Sequence, residues 1–429
     1  MKKLILLQLL VLLVLATPIC AENNKWQAEL DKVYQLVQHN SGHIFQNYDH
    51  NKWVEDYSAL LNKSSTLSKN QIRVELMMLI AKLQDGHSGI WIRDMVIPND
   101  NTKWFPIRMY YFEEGLYVIA AGASYSEYIG GKVEKIGNFS ESEASKRLFE
   151  ISNGENKYGD MFKVPFLMIY PPILVGLGLI DDQDKLPLTI RLSNGTTKQI
   201  QVVAHTYTEG LGGFFDQFES PSLNSVRLDE KLDIKWASTK WDVEPPYSLD
   251  FLEEKRIVYF KLNVLRDPPN YSLTDMYSQL WDIVENKKVD KLILDLRNNG
   301  GGNLNNAWPF IFKLNKFSRL NKENKLIILM GRKTFSAATA FMSMLETHTN
   351  ATFIGEPSGG RPNQTEGTNE FPPPSLQKIG VDVMLSRGRW THTNPLDDRE
   401  YIEPDIFIHE SITDWLKGVD RAYNEAINL

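Results

Sequence analysis

Between Arg256 and Pro357 the chain alternates apolar strands with amphipathic helices, and this order restricts the possible folds more than any other feature of the sequence. "RIVYFKLN" leads to "TDMYSQLWDIVENK", then to "KLILDLRNN", "LNNAWPFIFKL", "KLIILMG", "SAATAFMSMLET" and "ATFIGEP". Strands that are apolar along their whole length are covered on both faces, and helices between them supply the crossovers of a mostly parallel sheet. The expected fold class is therefore an α/β core with helices on both faces of its sheet. In sheets of this kind, chemistry gathers at the carboxyl ends of the strands.

Two such ends stand out. "DLRNNGGGN", Asp295 to Asn303, puts three glycines between a strand and a helix. They suit a tight turn, and they also bring bare backbone N–H groups to a helix N-terminus, where a developing oxyanion would be stabilised. The phosphate-loop pattern GxxxxGK[ST] is absent. At the other end, "LMGRKTFSAATAF" sets the hydroxyl of Ser336 at a strand-to-helix junction, with the amide of Ala337 in the first helical turn. A neutral serine is a poor nucleophile, so such a site needs a base from elsewhere in the chain.

Before this core, residues 26–83 read as helices, with "WQAELDKVYQLVQ" and "SKNQIRVELMMLIAKLQ" carrying apolar residues at three- and four-residue spacing. The second pattern stops at Asp85-Gly86, which makes Gly86 the expected left-handed cap. His87 follows, entering the apolar run "SGIWI". From about Trp104 to His205 the pattern changes to short strands, "FPIRMYYF", "GLYVIAA", "GGKVEKIGN" and "PLTIRLSNG", with one helix, "SESEASKRLFEI", opened by a serine cap and early acids.

Charge and cysteine content narrow the function classes. With 47 basic against 54 acidic residues the net charge is -7, which provides no basic field for nucleic acid. The opening "MKKLILLQLLVLLVLATPICAENN" has two lysines, an apolar run from Leu4 to Ala16, then Pro18 and small residues. The run is shorter than the roughly 20 residues a membrane span needs, and its layout is that of a secretory signal with cleavage after Ala21. An exported location is expected, with no membrane span in the mature chain. Cys20 raises the rival idea of a lipid anchor, but Thr-Pro-Ile before it lacks the small residue usual there. Cys20 is also the sole cysteine, so the mature chain would carry neither a disulfide nor thiol chemistry.

"DLRNNGGG", "GRKTFSAATAF", "FIGEPSGGR" and the closing "EYIEPDI" occur in that order, and with them the chain resembles the tail-specific, or C-terminal processing, and tricorn-type serine peptidases. The strand-rich middle resembles the PDZ-like domain that such peptidases carry. After the signal read at 1–21, the division expected is a helical region at 22–95 carrying His87, a PDZ-like domain at 96–224 and a catalytic domain at 225–429, the last two as the resemblance implies. "GLGGF", Gly210 to Phe214, echoes a PDZ carboxylate-binding loop but follows the last strand of that region, so it reads as a linker.

Tail-specific members use a lysine base 25 residues beyond the serine, and at that position, 361, this chain has arginine. A guanidinium with a pKa above about 12 cannot accept the serine's proton. Lys333, three residues before Ser336, has nothing to promote it to that role. The tricorn-like branch instead uses a histidine from the N-terminal part and a glutamate near the C-terminus. Imidazole, with an ordinary pKa of about 6.5, suits the task. The resemblance points to His87 in "LQDGHSGIW", with His392 and His409 as rivals. For the carboxylate that orients the imidazole it favours Glu400, with Glu403, Asp398 and Glu366 as alternatives. It also implies an oxyanion hole from the amides of Gly302 and Ala337. Gly301 and Arg361 are the candidate substrate-binding positions, Arg361 by pairing with a carboxylate. Ser88 stands beside His87, but on the opposite side from the neighbouring serine of the tricorn peptidase.

No cofactor is implied. His39 and His43 are four apart without an HExxH pattern, so no metal is expected either. The function expected is an exported serine endopeptidase acting on proteins or peptides. The alternative is a catalytically inactive binding or scaffold protein that keeps the peptidase fold, and metal-dependent hydrolysis ranks last.

Overall fold

In the computed structural model, which describes residues 24–206, 225–227, 245–367 and 372–429, four strands pair in parallel at the centre of the chain's C-terminal part. They are Ile257–Leu262, Lys291–Asp295, Leu326–Met330 and Thr352–Gly355, in that spatial order. Ile406–Phe407 extends the sheet in parallel at one edge, and Tyr247–Leu252 adds an antiparallel strand at the other. Successive side chains on a strand point to opposite faces. Val258, Phe260, Leu292, Leu294 and Ile328 accordingly pack with Leu280, Trp281, Phe310 and Phe341 of the intervening helices. Ile257, Tyr259, Ile293, Ile327 and Leu329 face the other way, onto Ala422, Tyr423 and Ala426 of the closing helix Arg421–Asn428. Burial on both faces is why these strands are apolar throughout.

The N-terminal helices are Gln27–His39, His50–Ser64 and Lys69–Ala81. Asp49 caps the second, and Ser68 with Gln71 forms a capping box on the third. The expected role of Gly86 as a left-handed cap is corrected here. The helix closes at Ala81, and the residue with positive φ is Gln84, at 50°. Gly86 is needed for room instead, since a Cβ there would lie 2.7 Å from the ring of Phe335 and 2.9 Å from Cγ of Glu155. Just beyond, Gly89–Ile92 pairs antiparallel with Val381–Met384, which ties the turn carrying His87 to the chain between the strands Thr352–Gly355 and Ile406–Phe407 of the central sheet.

The middle of the chain forms a second sheet from antiparallel strands that include Ile107–Phe112, Gly115–Gly122, Lys132–Ile136, Lys185–Arg191 and Thr197–Val203. Its helix Glu141–Phe149 opens on a Ser140–Glu143 capping box. One buried core runs from the N-terminal helices through this sheet to Val381, Val383 and Trp415, so the helices and the antiparallel sheet share packed side chains. Arg332 links this body to the central sheet: its guanidinium pairs with Glu356, both side chains being buried, and Nη1 donates to the carbonyl of Tyr111 at 2.8 Å.

Among the described residues no helix is long and apolar enough to cross a membrane. The expected signal at 1–21 with Cys20, and the string Gly210 to Phe214, lie outside the described residues.

Candidate active site

Ser336 caps the helix Ala337–His348 with φ 56° and ψ -131°, a backbone conformation that a residue with a Cβ rarely adopts. The surrounding bonds hold it there. The amide of Phe335 donates to the carbonyl of Asn299 at 3.1 Å, and the Thr334 hydroxyl donates to the carbonyl of Leu296 at 2.9 Å. The turn before the serine is thus bound to the end of the neighbouring strand, and the hydroxyl projects from a sharp strand-to-helix elbow.

The glycine triplet lies against this elbow. Gly301, with φ 115°, passes so close that a Cβ would sit 2.7 Å from Cβ of Ser336 and 3.1 Å from the amide nitrogen of Ala337. Its own N–H donates to Oδ1 of Asn299 at 2.9 Å, which commits that amide elsewhere. Gly302, with φ 137°, crosses Leu265, where a Cβ would meet the carbonyl oxygen at 2.5 Å. Both glycines are therefore demanded by close backbone approach as well as by conformation.

His87 arrives from 249 positions away, with Nε2 at 2.9 Å from Oγ of Ser336. The turn that carries it is fixed on several sides. Oδ1 of Asp85 accepts from the His87 amide at 3.0 Å, and Oδ2 accepts from the Ser88 hydroxyl at 2.7 Å and from Ser386. Ser386 in turn donates its amide to Oγ of Ser88 at 2.9 Å. Ser88 thus braces the turn. The imidazole stacks on Phe335, with ring centroids 4.8 Å apart.

The carboxylate beside the imidazole is Glu155, and Oε1 lies 3.9 Å from Nδ1 of His87. Glu155 precedes the helix Lys157–Leu167, whose cap Asn156 accepts from the amides of Tyr158 and Gly159 and donates to the carbonyls of Ser358 and Glu400. Two backbone N–H groups reach its carboxylate, Gly86 at 3.3 Å and Arg361 at 2.7 Å. Burial pushes the Glu155 carboxyl up to about 7, and the nearby Asp85 charge adds to this, while the Arg361 amide and the charges of Lys163 and Arg361 pull it down. Lys163 donates to the carbonyl and the side-chain oxygen of Asn153 and lies 5.1 Å above the Phe335 ring; burial holds its ammonium below the usual range.

Glu400 does not take that position. Its carboxylate is mostly exposed, with Oε1 4.0 Å from Nη2 of Arg361, and it is its main-chain carbonyl that meets the site, through Asn156. Asp398 and Glu403 are exposed, and the side chain of Glu366 lies outside the described residues. His392 stacks on Trp390, His409 packs on Phe407, and the His43 ring contacts the carbonyl of Ser386. The sequence pattern had no means of finding Glu155. It sits in "ISNGENKYGD", a turn without a catalytic motif, and only the Asn156 helix cap beside it leaves a local trace.

Among the described residues one group of three offers metal-ligating atoms within 4.8 Å of one another, namely Asp85, His87 and Glu155. Their carboxylate oxygens already accept hydrogen bonds from the surrounding amides and hydroxyls. Chemically the arrangement fits proton transfer: a hydroxyl against an imidazole nitrogen, with a buried carboxyl behind the ring.

Residues 256–407 match the model of Peptidase family S41. Mature CPAF complexed with lactacystin has a similar fold, with a TM-score of 0.60 over 94% of this chain and 96% of that one at 14% identity. A second structure of mature CPAF gives 0.59, over 94% and 95%, again at 14% identity. The photosystem II D1 C-terminal processing protease gives 0.42, over 90% and 93%, at 12% identity. No curated protein sequence matches the chain.

Proposed function

We propose, from the match of residues 256–407 to Peptidase family S41, that this chain is an exported serine endopeptidase whose nucleophile is Ser336. The observation that carries the proposal is the 2.9 Å separation of His87 Nε2 from Ser336 Oγ. In the imidazole tautomer protonated on Nδ1, Nε2 accepts the hydroxyl proton as Oγ bonds to the scissile carbonyl carbon. The carbonyl oxygen, now negative, takes hydrogen bonds from the amides of Ala337 and Gly302, Gly301 being engaged by Asn299. The imidazolium then protonates the departing amine, leaving an ester on Ser336. Water, deprotonated by the same nitrogen, hydrolyses it.

Glu155 replaces Glu400 as the group that stabilises the imidazolium. It does so as the anion, from 3.9 Å, by charge rather than by a direct short hydrogen bond. Arg361 supports this carboxylate through its main chain, which leaves its guanidinium for another partner. The substrates are proteins or peptides. The antiparallel sheet within 96–224 serves as the PDZ-like domain, and residues 1–21 direct export before removal.

Labelling of the purified mature chain with a fluorophosphonate probe tests the proposal. Wild type reacts, Ser336→Ala does not, and His87→Asn reacts slowly. Labelling that persists in Ser336→Ala would exclude Ser336 as the nucleophile. A folded wild-type chain that never labels would instead indicate a binding protein that keeps the peptidase fold.

A further inference from the structure

Asp85 holds the turn that carries His87 by the amide of that residue and by the Ser88 hydroxyl. The carbonyls on either side of His87 are held by a different side chain. Nδ2 of Asn153 donates to the carbonyl of Ser88 at 2.9 Å and to that of Gly86 at 3.4 Å. Asn153 stands two residues before Glu155, so one short segment meets the histidine both at its ring and along its main chain.

Further contacts fix the direction of the Asn153 amide group. Nζ of Lys163 donates to Oδ1 of Asn153 at 3.2 Å and to its main-chain carbonyl at 3.1 Å. An ammonium has donors only, so the oxygen end of the side chain faces Lys163 and the nitrogen end faces the two carbonyls. The helix Lys157–Leu167, which carries Lys163, also anchors the segment through Asp160, whose Oδ1 accepts from the Gly154 amide at 2.9 Å. Gly89 leaves the room for this approach, since a Cβ there would lie 2.9 Å from Nδ2 of Asn153. Alanine at position 89 therefore displaces the amide group without removing it.

We propose that Asn153 and Lys163 are positioning residues: Asn153 pins the carbonyls that flank His87 so that Nε2 keeps its place at Ser336, and Lys163 sets the direction of the Asn153 amide. A rotation of the peptide group before His87 swings the whole side chain, and Nε2 lies at its far end. A small slip of the turn is thus enlarged at the 2.9 Å contact with Oγ, where proton transfer is sensitive to distance. The Lys163 ammonium has a second effect. Glu155 is faced by Asp85, His87, Lys163 and Arg361, and Lys163 by Glu155, Asp160 and Asp85; the ammonium favours the anion of Glu155. Lys163 therefore acts on turnover through Asn153 and on the pH profile through Glu155, whereas uncharged Asn153 acts on turnover alone. The kinetic effects rest on the proposed peptidase activity, while the hold on the imidazole does not.

Kinetics of the mature chain on a peptide substrate test the pair. Asn153→Ala lowers kcat about tenfold or more with KM within about twofold of wild type, and its pH profile keeps the wild-type position. Lys163→Met also lowers kcat and moves the rise in activity to higher pH, because a cation beside the carboxyl is gone; Lys163→Arg restores the position of the rise. Gly89→Ala lowers kcat, and Gly89→Ala/Asn153→Ala is no slower than Asn153→Ala, since both changes break the same contacts. The proposal fails if folded Asn153→Ala and Gly89→Ala both turn over like wild type, if Asn153→Ala raises KM at unchanged kcat, or if Lys163→Met leaves the pH profile in place. A readout without turnover uses the Ser336→Ala chain with 15N-labelled histidine, the His87 ring signals being assigned by their loss in His87→Asn. Adding Asn153→Ala shifts or broadens those signals and leaves the other histidines unmoved; unchanged His87 signals would overturn the proposal. Altered His87 signals in a chain that no fluorophosphonate labels would uphold the hold on the imidazole and remove the peptidase assignment instead.

Discussion

The main-chain N–H of Arg361 donates to Oε2 of Glu155 at 2.7 Å, and the other oxygen of that carboxylate stands 3.9 Å from Nδ1 of His87. Position 361 is where the resembled tail-specific peptidases place their lysine base. In this chain the residue cannot accept a proton, and its backbone instead holds the carboxyl behind a histidine. On the proposed mechanism one loop position serves under either choice of base, through its side chain in one case and its amide in the other.

The proton affinity of Glu155 gives a pH dependence with a definite sign. The carboxyl is pushed up to about 7 by burial and by Asp85, against Lys163 and Arg361; in the proposed mechanism only its anion stabilises the imidazolium of His87. Peptidase activity therefore rises as pH increases through about 7, and in Glu155→Gln the part of that rise due to this carboxyl is lost, leaving the part due to deprotonation of the His87 base. Stability moves the other way. The folded state keeps this proton over a range in which the unfolded chain has released it, so burial of Glu155 costs nothing below the ordinary value of 4.5 and its full amount above about 7. Glu155→Gln should gain about 3 kcal/mol on wild type between those limits, at about 1.4 kcal/mol per pH unit. Denaturant melts at pH 4.5 and 8 measure it; parallel curves for the two proteins would refute the cause assigned.

Glu155 and Glu400 separate cleanly by substitution. Glu155→Gln lowers kcat on a peptide substrate by roughly 10² to 10⁴, by analogy with loss of the triad carboxylate in other serine peptidases. Glu400→Gln changes it by no more than about fivefold, because its exposed carboxylate faces only Arg361 at 4.0 Å and surface pairs contribute about 1 kcal/mol or less. The reverse ranking would return the orienting role to Glu400.

Gly300 and Gly301 are adjacent and alike in sequence but not in space. A Cβ on Gly301 would meet Ser336 at 2.7 Å on a backbone with φ 115°, whereas a Cβ on Gly300 has nothing within 4 Å. Gly301→Ala should lower the rate of fluorophosphonate labelling by about 10² or more through displacement of the serine elbow. Gly300→Ala should label like wild type. Equal rates for the two variants would mean that the elbow tolerates displacement.

The central sheet was legible because its constraints are local. Strands such as Leu326–Met330 must be apolar on both faces, and the helices between them carry their own periodicity. Ser336 was legible as the residue at such a strand's end, though not its positive φ, since nothing in a serine announces a conformation imposed by Asn299 and Gly301 from the neighbouring strand's loop. His87 emerged only through resemblance, as its partner lies 249 positions away. The placement of Glu155 was not legible because it depends on Gly86 and Arg361 arriving from either side, and both contacts are made by backbone amides, which any residue type except proline supplies. Glycine after a helix suggests a cap, but at position 86 the demand is for room beside the Phe335 ring and Glu155.

That ring offers a last test, in which one collision should be repaired by removing its partner. Ala at position 86 places its Cβ 2.7 Å from the Phe335 ring and 2.9 Å from Cγ of Glu155, in the turn that aims His87. The Phe335 side chain also stacks on the imidazole, so its retreat would remove a contact that supports His87 beside Ser336. Gly86→Ala alone should reduce labelling of Ser336 by about 10² while costing roughly 1–3 kcal/mol of stability, as overpacking does. Phe335→Leu alone, which loses the stacking but makes room, should cost less activity, about tenfold. Combined, Gly86→Ala/Phe335→Leu should label faster than Gly86→Ala, a coupling of opposite sign to simple additivity. Strictly additive losses in the double variant would show that Gly86 is required by Glu155 rather than by Phe335, and that the carboxyl, not the ring, sets the position of the histidine turn.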